Sequence, residues 1–156
     1  MFISTAQSSD LEPVNALLRD VLDLHARLRP DLFISGTKKY TDAELLAIFS
    51  NPNTPVFVAK DDQGFLLGYC FCELQERTGS NNMHDMKTLY IDDLCVDPQA
   101  RGTSVARSLY EHALDFARER GCYNVTLNVW EGNDRARAFY EKMGFGIQKT
   151  LMEKIL

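Results

Sequence analysis

The chain of 156 residues has a net charge of −5, with 45% hydrophobic and 25% charged residues; this suits one globular domain spanning residues 1–156. A chain this long buries a core without disulfide or metal staples. Its acidic balance, pI about 5.2, offers no basic surface to release phosphate counterions, so nucleic acid is not an expected partner.

In chain order, Phe2–Thr5 is a short strand candidate. Ser9-Asp10-Leu11-Glu12 has the spacing of a capping box, with Pro13 in the first turn. The apolar residues Val14, Leu17, Leu18, Val21, Leu22 and Leu24 predict a helix that stops before Pro30. Pro30–Tyr40 reads as an irregular loop, and Thr41-Asp42-Ala43-Glu44 as a second capping box opening a helix through Phe49. Pro55–Lys60 and Phe65–Arg77 read as a hairpin around Asp61–Gly64, and Thr78–Asp85 as a polar loop. Met86–Val96 is a long strand ended by Asp97-Pro98. Ser104–Arg120 is a helix with Val105, Leu109, Ala113 and Phe116 on one stripe, stopped by Gly121. Tyr123–Trp130 is a strand. Asn133 caps a helix to Met143, and Phe145 to about Lys154 is a final strand or hairpin. The expected fold class is α/β: a mixed sheet with helices on its faces, and two C-terminal β-α-β units joining neighbouring parallel strands.

The cysteines Cys70, Cys72, Cys95 and Cys122 form no C-x-x-C pair, and His25, His84 and His112 complete no zinc spacing. Free thiols and no metal are expected. No signal peptide and no membrane-length apolar run is visible, so the expected location is the cytoplasm, without membrane contact.

The segment most suggestive of chemistry is Leu94-Cys95-Val96-Asp97-Pro98-Gln99-Ala100-Arg101-Gly102-Thr103-Ser104-Val105-Ala106. A strand ends, a turn of small residues follows, and a helix begins. The first N–H groups of a helix are unsatisfied donors at the positive end of its dipole. Small side chains let a phosphate reach them, and Arg101 and Arg107 add charge. The dinucleotide G-x-G-x-x-G and the G-x-x-x-x-G-K-[ST] loop are both absent, which argues against other nucleotide-binding α/β proteins.

Val96-Asp97-Pro98 followed by Arg101-Gly102-x-x-x-Ala106 resembles the acetyl-CoA loop, R/Q-x-x-G-x-G/A, of the GNAT superfamily of N-acetyltransferases. Ser104 stands where that family usually has glycine. The later run Leu127–Asn133, Ala136, Phe139–Lys142 and Met143-Gly144-Phe145 is similar to the family's strand–Asn–helix–Tyr–Gly-Phe segment at the expected distance. The resemblance implies a central sheet of about six to seven strands with four helices. It also implies that the parallel strands Met86–Val96 and Tyr123–Trp130 splay apart around the thioester of acetyl-CoA. Backbone groups of Leu94 and Val96 then hold the pantetheine, an N–H near Cys95 faces the carbonyl oxygen, and residues Arg101, Gly102, Thr103, Ser104, Val105, Ala106 and Arg107 hold the pyrophosphate.

By the same resemblance, Tyr140 is the general acid, and Asn133 caps the last helix and borders the cofactor. Asp92 takes the amine proton or orients a water, with Glu73 a second candidate. Strand alternation places Asp92 and Asp93 on opposite faces, so that at most one meets the acceptor. Acceptor specificity falls to about Leu24–Tyr40, including His25, Arg29, Asp31 and Tyr40, with Asp93 and Trp130 nearby. The expected reaction is transfer from acetyl-CoA to a primary amine of a small molecule or peptide in a ternary complex. A non-catalytic acyl-CoA-binding module is the alternative. An edge strand at the C-terminus is compatible with a homodimer.

Overall fold

A computed structural model describes every residue from Met1 to Leu156. The elements are β1 (Phe2–Thr5), α1 (Leu11–Leu28), α2 (Asp42–Ser50), β2 (Val56–Lys60), β3 (Leu66–Arg77), β4 (Met86–Val96), α3 (Val105–Glu119), β5 (Asn124–Leu127) and α4 (Asp134–Lys142). The five strands form one sheet in the order β1-β2-β3-β4-β5, antiparallel except for the parallel pair β4–β5. None of the helices is long and apolar enough to cross a membrane.

Local chemistry explains most boundaries. Thr41 and Glu44 make the reciprocal capping box that opens α2, at 3.2 and 2.8 Å. The entry to α1 is made differently from the expected Ser9/Glu12 box. The buried Asp10 carboxylate accepts the Gln7 N–H at 2.9 Å and pairs with Lys60 at 2.6 Å, tying the turn to β2. Val14, Leu17 and Leu18 then bury one face of α1, while Val105, Leu109, Ala113 and Ala117 bury one stripe of α3.

The two helical layers make two cores on opposite faces of the sheet. Phe57, Ala59, Cys70, Cys72, Leu89 and Ile91 point toward α3. Val56, Val58, Tyr69, Phe71 and Cys95 point toward α1 and α2. Leu89, Ile91 and Cys95 are all odd-numbered residues of one strand, yet they lie on different faces. The cause is a register shift: Cys72 pairs with Ile91 but Phe71 pairs with Asp93, so Asp92 is the extra residue of a β-bulge. The bulge reverses the inside–outside parity of β4 at the residue where the site begins.

Four expectations about the sheet change. The sheet has five strands, not six to seven. Tyr123–Trp130 pairs only over Asn124–Leu127, because the chain turns away from β4 beyond that point. Phe145–Lys154 is not a strand: the residues after Gly144 carry no regular structure and find no neighbouring strand in the chain. Of the two expected β-α-β units, only β4–α3–β5 is formed.

Candidate active site

β4 and β5 pair from Thr88/Asn124 to Ile91/Leu127 and then part. β4 runs on to Val96 with β3 on one side only. The N–H of Asp97 bonds Leu67 O on β3 at 2.9 Å. Alternation therefore turns the backbone groups of Val96 and Leu94 to the opposite edge, the one that β5 has left. β3 can lie this close because residue 68 is glycine: a Cβ there would meet Cys95 O at 2.6 Å. The gap opens into a cavity of about 1280 Å³ bounded by α1, β4, the 98–107 turn, residues 127–136 and α4.

One end of the cavity is a donor cradle. The 3₁₀ turn Pro98–Ala100 is capped by Asp97, which accepts the Gln99 N–H at 2.7 Å. Gly102 then takes φ 79°, a conformation that side chains strain. Ser104 precedes α3 at φ −77° with no side-chain cap. Glycine is thus not required at position 104, and serine opens the helix without strain. The N–H groups of Gly102, Thr103, Ser104, Ala106 and Arg107 have no hydrogen-bond partner, and that of Val105 reaches only Thr103 Oγ1 at 3.5 Å. Arg101 lays its Nε on Val96 O at 3.2 Å. Arg101, Arg107, Arg135 and Lys142 all line the cavity, and none takes part in an ion pair. Bare helix-terminal donors and unpaired cations fit a polyanion such as a pyrophosphate. Val105 itself is buried and packs beneath the cradle.

Tyr140 lies between the ends. It is nearly buried, edge-on to Phe139 and Phe145. Its hydroxyl has no partner in the protein but is not sealed off, and the residue lines the cavity. Burial pushes the phenol above its ordinary pKa, so it holds its proton through the neutral range. Asn133 caps α4 through Ala136 N–H at 3.2 Å and also lines the cavity.

The other end is acidic. The bulge turns both Asp92 and Asp93 toward α1 and the loop after it, which corrects the expectation that only one faces that way. Asp92 Oδ2 lies 2.8 Å from Lys39 Nζ, and Asp93 Oδ2 accepts the buried Tyr69 hydroxyl at 2.8 Å. Burial lifts the Asp93 carboxyl to about 6, against the opposing pull of the Tyr69 hydrogen bond and Lys39. Lys39 is pulled down by burial, but the bond to Asp92 and the surrounding negative groups outweigh this and raise it. His25 is lowered by burial and by Lys39. His25, Phe33 and Trp130 form an aromatic wall, with Phe33 edge-on to Trp130 at 5.4 Å. Cys95 faces the core beside Tyr69, and burial raises its thiol to about 12. Its neighbours Leu94 and Val96, not Cys95, present backbone groups to the gap.

Four of the residues expected on the acceptor side, Arg29, Asp31, Tyr40 and Glu73, stand apart from the cavity lining. Arg29 is engaged by Asp31 and Glu153. Tyr40 stacks on Phe71 behind Lys39. Glu73 is exposed on β3 opposite Tyr90. Lys39, Phe33 and Tyr69 were not singled out from sequence. Lys39 and Phe33 lie in the loop segment already assigned to specificity, but no spacing marks them. Tyr69 is recognisable only through its cross-strand register.

The fold and the cleft define an α/β protein whose sheet parts beside the uncapped N-terminus of α3. The sequence matches the model of the Acetyltransferase (GNAT) family over residues 18–145, and the chain belongs to that family. A crystal structure of a mutant of the BH1408 protein from Bacillus halodurans superposes with a TM-score of 0.96 at 31% identity, covering 100% of this chain and 99% of that one. The peptidyl-lysine N-acetyltransferase YjaB of Salmonella typhimurium is 33% identical over 115 residues, 74% of this chain and 66% of that protein. The mycothiol acetyltransferase of Salinispora arenicola is 34% identical over 128 residues, 80% of this chain and 39% of that protein. The chain thus spans about two thirds or less of the length of these curated relatives.

Proposed function

We propose that the chain is an acetyl-CoA-dependent N-acetyltransferase whose acceptor is a primary alkyl ammonium compound, reacting directly in a ternary complex. The observation that carries the reading is the sequence of groups along one cavity: a bare donor cradle, an unpaired strand edge, an unpartnered tyrosine hydroxyl and two carboxylates. Acetyl-CoA supplies an activated acetyl thioester. The N–H groups of residues 102–107, with Arg101 and Arg107, hold its pyrophosphate. The β4 edge at Leu94 and Val96, which no strand pairs, receives the pantetheine as an added strand. An N–H on that edge donates to the carbonyl oxygen as charge builds there, a contribution of about 3 kcal/mol in comparable sites. Tyr140, protonated at neutral pH, gives its proton to the departing sulfur.

Acceptor chemistry is supported by what Lys39 does. Its ammonium rests on Asp92, in the field of Asp93, 5.2 Å above the Tyr40 ring. A primary alkyl ammonium is therefore stabilised at this end of the cavity, and an acceptor of that kind takes Asp92 from Lys39. The adjacent carboxylates, one of them titrating near 6, then accept the proton that the amine must lose before it attacks.

The peptidyl-lysine activity named for the Salmonella relative is one member of this acceptor class; polyamines and other terminal alkyl amines are others. The test is thiol release from acetyl-CoA against polyamines, lysine-containing peptides, free amino acids and sugar amines. Release confined to terminal alkyl amines supports the reading. Acetyl-CoA binding by calorimetry with no turnover on any amine favours a non-catalytic acyl-CoA-binding module.

A further inference from the structure

Two lysines line the cavity, Lys39 and Lys142, and only Lys39 rests its ammonium on a carboxylate there, 2.8 Å from Asp92 Oδ2. Lys38, Lys60 and Lys87 pair with Asp42, Asp10 and Glu76, none of which borders the cavity. The backbone that presents Lys39 is anchored on both sides. Lys38 is tied to Asp42 at 3.1 Å, Tyr40 stacks on Phe71, and Thr41 is locked into the box that opens α2. The Lys39 side chain nevertheless remains 39% exposed, so its nitrogen is held in place without being sealed off.

An exposed pair of this kind contributes little to stability; its place in the cleft is what gives it chemical meaning. Asp93 acts electrostatically on the Lys39 ammonium and on the Tyr140 phenol alike, so the amine, the two carboxylates and the tyrosine share one neighbourhood. Lys39 is itself a primary alkyl amine, seated where the reading above places the acceptor's ammonium. A nucleophile fixed in the same molecule has a high effective concentration and no association cost.

We propose that Lys39 is an acetylation site of the protein itself: with no external amine present, its Nζ takes the acetyl group from acetyl-CoA bound to the same chain. The inference rests on the acetyltransferase reading. The Lys39 ammonium gives one proton to the Asp92–Asp93 pair, and Nζ attacks the thioester carbon. The C–N bond forms and the C–S bond breaks. The sulfur leaves with the Tyr140 proton, the second proton of the nitrogen restores the phenol, and the carboxylates release theirs to solvent. The product is a neutral amide, so Asp92 loses its resident cation and the reaction runs once per chain.

The full chain is incubated with saturating acetyl-CoA and no amine, and acetyl groups are located by peptide mass spectrometry. The expected result is release of about one thiol per chain, followed by arrest. Lys39 should be labelled at least about tenfold faster than Lys149 and Lys154, which report background chemical acetylation. Its rate should be unchanged by diluting the protein, and an added alkyl amine should slow it. Lys39→Arg, which keeps a cation on Asp92, should abolish the burst. Tyr140→Phe should slow labelling of Lys39 and leave that of Lys149 and Lys154 as it was. Labelling of Lys39 at the background rate overturns the proposal, as does fast labelling that Tyr140→Phe does not slow or that dilution does. If external amines are acetylated while Lys39 stays bare, the proposal falls and the acetyltransferase reading stands. If acetyl-CoA binds by calorimetry and neither is acetylated, both fall.

Discussion

At the α3 end of the cavity, Arg101 and Arg107 have no acidic partner, and the helix terminus adds unsatisfied N–H groups. At the β4-bulge end, Asp92 and Asp93 stand side by side, and the cation between them and solvent is the chain's own Lys39. The first end is prepared for an anion and left bare; the second is prepared for a cation and already holds one. In the proposed reaction an anionic cofactor and a cationic acceptor are ordered by the protein's field before any contact is made. Tyr140 lies where the two regimes meet.

Substitutions should separate the two ends. The largest effect is expected at their junction. Tyr140→Phe should lower kcat about 100-fold or more while leaving acetyl-CoA binding by calorimetry within about twofold; unchanged turnover would remove Tyr140 from the acid role. At the acidic end, Asp92→Asn should raise KM for a cationic amine about tenfold with acetyl-CoA affinity unchanged. If it weakens both ligands equally, the division into two ends fails. At the basic end, the double variant Arg101→Ala, Arg107→Ala should weaken acetyl-CoA binding by a similar factor, and salt should shrink the difference. Lys39→Met should act in the opposite sense to Asp92→Asn, lowering the amine KM about threefold with little change in kcat, since the acceptor no longer displaces an ammonium.

The smallest effect concerns stability. Asp93 has a folded-state pKa of about 6, above the ordinary value near 3.9 of the unfolded chain. Its ionisation therefore opposes folding in full above pH 6, and this penalty fades as the pH falls through 6 toward 4. Asp93→Asn should accordingly stabilise the protein by about 1–2 kcal/mol at pH 7 and by nothing at pH 4, measured by denaturant unfolding at each pH. The same carboxyl should place an acidic limb near pH 6 in the kcat/KM profile, and Asp93→Asn should move it. An unmoved limb would assign the proton to another group.

Much of this was legible without coordinates where neighbouring residues determine the outcome. The Thr41/Glu44 box, the apolar stripe of α3, the turn at Gly102 and the Asn133 cap all depend on side chains within four residues of one another, and each forms where the spacing predicts it. The cradle needed nothing more than that, because its donors are consecutive backbone groups. Asp92 and Asp93 were visible as residues but misread as a pair, since alternation was carried through a bulge that exists only relative to β3. Lys39 and Tyr69 could not be assigned roles at all: each acquires its partner across more than 20 residues of chain.

By itself, then, the sequence determined the order of elements from β1 to α4, the turn of small residues that opens α3 and the place of Tyr140 on α4, because short-range spacing encodes them. The tertiary structure decided the parity of β4, the opening between β4 and β5, and the absence of a sixth strand. These follow from which strands meet and where their hydrogen bonds stop, and no local stretch of residues carries that information.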